Sequence, residues 1–111
     1  MAELIKVVIQ RPGEISGIIE IKNNIEAINA IVGGQSTVVT IPGNGLKLVM
    51  NISSNRRGKP TLKTLWGRIY GTVLVMAVDG NQYVSLTVSQ IQAARMWLLK
   101  HTYREEKQYG S

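Results

Sequence analysis

The spacing of apolar and polar positions changes several times along the chain, and each change marks an element. Residues 3–10, Glu-Leu-Ile-Lys-Val-Val-Ile-Gln, are dense in β-branched side chains and predict a strand. Pro12-Gly13 marks a turn, and residues 14–21 return as a second strand ending Ile18-Ile19-Glu20-Ile21. Asn23 then stands as a helix cap, with Glu26 at capping-box spacing. Ile25, Ile28, Ile31 and Val32 recur at helical period, and Gly33-Gly34 supplies the stop. So short and one-faced a helix needs a sheet to lie on.

Thr37 to Ile41 predicts a third strand, Pro42-Gly43-Asn44-Gly45 a tight turn, and Leu46 to Ile52 a fourth strand. Residues 53–65 keep no period and predict a long loop. Arg68 to Val78 predicts one long strand, with Gly71 a bulge or a close approach. Asp79-Gly80 turns it into a last strand, Gln82 to Leu86. Thr87 and Gln90 form a second capping box, opening a helix that runs to about Tyr103.

The order is ββαββ–loop–ββα, an α+β domain of residues 1–103 with two helices on a largely antiparallel sheet. Residues 104–111 are polar, and a frayed tail is expected there; 105–111 lie outside the residues described below. The last helix is apolar on more than one face, more than a one-sided surface helix needs. Ile91, Ala94, Trp97 and Leu98 are therefore expected at a homo-oligomer contact.

Charge alters this picture at one place. The 111 residues hold 13 Lys and Arg against 7 Asp and Glu, a net charge of +6. No acid lies between Glu26 and Asp79, whereas Lys47, Arg56, Arg57, Lys59, Lys63 and Arg68 do. Elsewhere bases and acids balance, so the middle segment carries the whole excess. Segregated charge of one sign concentrates anionic partners. Arginine forks suit phosphate, and neighbouring amides and rings complete such a site. The candidate ligand-binding residues are Asn51, Asn55, Arg56, Arg57, Lys59, Lys63, Trp66, Arg68 and Tyr70. Alternation along a strand would set Trp66, Arg68 and Tyr70 on one face.

Other chemistries find little support. With no cysteine and one histidine, thiol catalysis and multi-histidine metal sites are excluded. Gly58-Lys59 lacks the earlier glycine and the following Ser or Thr of a phosphate loop. His101 sits among Lys100 and Arg104 near a helix C-terminus, where the dipole favours cations. Neither an enzyme nor a cofactor is expected. No apolar run reaches the roughly 18 residues of a membrane span and no signal pattern opens the chain, so a cytoplasmic protein is expected.

Several landmarks recur in a fixed order: Pro12-Gly13, Val32-Gly33-Gly34, the strand-ending Asn51, Asn55-Arg56, Gly71-Thr72, and Ser85-Leu86-Thr87 through Gln90. In this order they resemble a small uncharacterised family of phage and mobile-element proteins. Where that family carries acid after the strand-ending Asn, this chain has Ile52-Ser53. The resemblance implies a phage accessory protein that counters host defence. Joined to the charge pattern, it suggests a non-enzymatic oligomeric sponge for a nucleotide-like immune signal. A nucleic-acid-binding accessory protein and an inhibitor docking on an acidic host protein are the alternatives.

Overall fold

A computed structural model describes residues 3–53 and 59–104. The elements are β1 (Leu4–Gln10), β2 (Gly17–Lys22), α1 (Ile25–Val32), β3 (Ser36–Thr40), β4 (Lys47–Asn51), β5 (Leu62–Thr64), β6 (Gly67–Ile69), β7 (Val73–Asp79), β8 (Gln82–Val84) and α2 (Val88–His101). All strand pairs are antiparallel. The main sheet has six strands in the order β2-β1-β7-β4-β3, with β8 paired to the far end of β7. β5 and β6 form a separate two-stranded sheet. The α+β class and the mostly antiparallel sheet agree with the sequence reading.

One helix covers each face of the main sheet, and alternate residues of β7 show how. Leu74 and Met76 pack with Ile28 and Val32 of α1, together with Val7 and Ile9 of β1. Val73, Val75 and Ala77 point the other way, to Ala94 and Leu98 of α2 and to Leu62 and Ile69 of the β5–β6 hairpin. Strands covered on both sides lose their polar positions. That is why Val7-Val8-Ile9 and Val73 to Ala77 are continuously apolar and buried.

Four local expectations change. The cap of α1 is Asn24, whose Oδ1 accepts from the Ala27 N–H at 2.8 Å. Asn23 instead donates its side-chain amide to the Tyr83 carbonyl at 3.0 Å. The expected strand from Arg68 to Val78 is two strands, because Gly71 (φ +80°) breaks the ladder between them. Thr61, within the expected loop, donates its hydroxyl to the freed Gly71 carbonyl at 2.6 Å. The following residues form β5, because Leu62 is fully buried and opposes Ile69 in register. Finally, α2 ends at His101, and Thr102 forms an antiparallel bridge with Leu62.

Other signals hold as read. Gly33 ends α1 in the left-handed conformation (φ +84°), and its N–H donates to the Asn29 carbonyl. The Thr87–Gln90 capping box has both of its bonds. Thr87→Ala removes one of them and is expected to cost about 1 kcal/mol in urea unfolding, without change in the slope of the transition.

Candidate functional site

The β5–β6 hairpin leans on the C-terminal end of α2, and this junction gathers charge. The Leu62–Thr102 bridge and the bond from Tyr103 N–H to the Thr61 carbonyl (3.1 Å) fix the chain after α2 along β5. Lys63 and Arg68 stand directly opposite each other across the hairpin. Facing them are Lys100 and His101 from the last turn of α2, followed by Tyr103 and Arg104. These six side chains line a concavity of about 740 Å³, and no carboxylate lines it among the described residues.

One feature favours an anion here and one opposes it. Like charges directly opposed on an antiparallel pair destabilise it, yet Lys63 and Arg68 occupy such a pair. Against it, the C-terminus of a helix carries roughly half a negative charge. Among the described residues, four formal positive charges outweigh that partial charge.

Aromatic rings lie against two of the lining side chains, Arg68 and His101. The Arg68 guanidinium lies 5.7 Å from the centre of the Tyr103 ring, within cation–π range. His101 stacks on Trp97 with centroids 4.2 Å apart, and Trp97 contacts Trp66 at 6.1 Å. The His101 Nδ1 lies 2.8 Å from the Trp97 carbonyl. A carbonyl only accepts, so Nδ1 carries the hydrogen and donates it. The ring is thereby fixed against its own helix.

Of the sequence candidates, the fold brings Lys63 and Arg68 into this concavity and Trp66 to its aromatic support. Trp66 occupies the β5–β6 turn and Tyr70 follows β6, so the expected face of Trp66, Arg68 and Tyr70 is not one strand face. Tyr70 is half-buried and Lys59 is exposed at the entry to the hairpin. Asn51 lies apart, where its amide donates to the Val32 carbonyl (3.2 Å) and accepts from the Ser53 N–H (2.8 Å). Asn51 thus anchors the segment after α1, and a Cβ at Gly34 would approach its amide nitrogen to 2.9 Å. Asn55, Arg56 and Arg57 lie outside the described residues.

Lys100, His101, Tyr103 and Arg104 complete the site without having been singled out for it. Their signal is the run Lys100-His101 with Arg104 close behind, a pattern that the helix dipole alone also favours. At the expected α2 contact, Ala94 and Leu98 are fully buried in the chain's own core, and Ile91 and Trp97 pack against it. The exposed apolar residues of α2 are Val88, Met96 and Leu99. Among the described residues no helix is long and apolar enough to cross a membrane, and no His, Cys, Asp and Glu cluster could hold a metal.

The fold and this junction define a small α+β domain with a cationic, ring-supported concavity between a hairpin and a helix end. A family model described as a domain of unknown function, DUF3846, matches residues 5–99, and the chain belongs to that family. Neither curated proteins nor solved structures gave a match.

Proposed function

We propose that this protein is a non-enzymatic receptor for a phosphate-bearing, nucleotide-like anion, held at the junction of the β5–β6 hairpin and α2. The observation that carries this reading is the convergence of Lys63, Arg68, Lys100 and Arg104 on one concavity lined by no carboxylate among the described residues. Guanidinium forks and ammonium groups complement phosphate oxygens, and such charge-assisted bonds are the strong ones. A phage accessory role, in which the protein sequesters a host nucleotide signal, accords with the sequence landmarks and is part of the same proposal.

Calorimetry with the full chain tests it. Inorganic phosphate, ADP-ribose and a cyclic dinucleotide are the probes. At least one phosphate ester is expected to bind with measurable heat, and Arg68→Ala and Lys100→Ala are each expected to weaken it about tenfold, the worth of one charge-assisted bond. Absence of heat with all three probes in folded protein overturns the reading. Binding that appears only with long DNA and collapses between low and moderate salt would favour a nucleic-acid partner instead.

A further inference from the structure

A second concavity, of about 640 Å³, adjoins the first. It lies between the segment joining β1 to β2 and the exposed face of α2, and it shares Leu99, Thr102 and Tyr103 with the cationic site. Three large apolar side chains meet there: Ile15 (84% exposed), Met96 (66%) and Leu99 (59%). Single exposed apolar residues are ordinary, whereas here three are gathered in one groove. The groove is a built feature. Arg95 reaches across it, donating from Nε to the Ser16 hydroxyl and from a terminal nitrogen to the Ser16 carbonyl, both at 3.3 Å. At its other side Gln10, only 2% exposed, donates its side-chain amide to Thr102 Oγ1 at 3.1 Å. Thr102 in turn donates to the Leu98 carbonyl at 2.7 Å. Thr102, one of the three residues shared by the two concavities, is thereby fixed from both directions.

We propose that this groove takes the nucleobase of a nucleoside phosphate whose phosphate lies against Lys63, Arg68, Lys100 and Arg104. The inference rests on the anion reading above and extends it to the rest of the ligand. The chemistry of the walls favours a base over a hydrocarbon chain. Ile15, Leu99 and the Met96 thioether offer apolar surface to the two faces of a flat ring, and sulfur pairs well with aromatic edges. The groove is also lined by the exposed Gln92 and Glu14, whose amide and carboxylate can pair with donors and acceptors along a base edge. An alkyl tail would cover the Gln92 amide and the Glu14 carboxylate without giving them partners, which is costly. Gln92, Met96 and Leu99 follow one another at i, i+4 and i+7 of α2. They form one stripe that leads toward the cationic end of the helix.

Four probes, followed by calorimetry or by the fluorescence of Trp66 and Trp97, test this: inorganic phosphate, ribose 5-phosphate, AMP and decyl phosphate. AMP is expected to bind at least tenfold more tightly than ribose 5-phosphate. The double variant Ile15→Ser, Met96→Ser changes only exposed side chains that line the groove. It is expected to erase that advantage while leaving ribose 5-phosphate affinity within twofold. If ribose 5-phosphate and AMP bind equally, the base site is overturned and the anion reading stands. If decyl phosphate binds more tightly than AMP, the groove takes a hydrocarbon and the base site is again overturned. If no probe binds the folded chain, the anion reading fails and the base site with it.

Discussion

Lys63→Glu is expected to raise the melting temperature and to lower phosphate-ester affinity in the same protein. The two effects come from one geometry. Lys63 opposes Arg68 across the β5–β6 hairpin. Glutamate at this position replaces a cross-strand repulsion by an attraction, worth up to about 1 kcal/mol before solvent screening reduces it. For a domain of this size that is a rise of about 2–5 °C. The same change removes one cation from the concavity and adds an anion, so phosphate-ester binding should fall by well over tenfold. A thermal melt and a titration of the same sample read both signs. A variant that melts higher but keeps its affinity would remove Lys63 from the site. One that melts lower would mean that the lysine supports the hairpin in some other way.

Neighbouring leucines on α2 give the second large contrast. Leu98 is fully buried between the sheet and the hairpin, whereas Leu99 is 59% exposed. Leu98→Ala leaves a cavity in the core and is expected to cost about 2–5 kcal/mol of stability by urea unfolding. Leu99→Ala is expected to stay within about 0.5 kcal/mol. Binding should reverse the order, because Leu99 lines both concavities. At a temperature where both variants are folded, Leu99→Ala is expected to weaken AMP several-fold and Leu98→Ala much less. Equal stability losses at the two positions would contradict the packing of α2.

These contrasts show what a linear chain discloses. The scaffold was legible because burial leaves periodic marks. The second capping box, the glycine stop after α1 and the β-branched runs of the central strands each follow from a local cause. The hairpin that carries half of the site was less visible. Its strands are three residues each, too short to set a period, and the apolar run from Arg68 to Val78 is cut by Gly71. Lys63 and Arg68 stood out because no acid lies near them in the chain. Lys100 and Arg104 did not, because outside the middle segment the chain's bases and acids balance and the helix dipole offers an ordinary explanation. The bridge between Leu62 and Thr102 joins the two groups across 40 positions of the chain, and local propensity carries no record of it.

The β5–β6 hairpin belongs to its own sheet, and its backbone bridge runs to Thr102 at the end of α2. Leu62 and Ile69 nevertheless share one core with Val73, Val75, Ala94 and Leu98, so this clasp can loosen only by drawing both side chains out from beneath the helix. Receptor and frame are thus joined through that core, and a guest seated between clasp and helix would brace both.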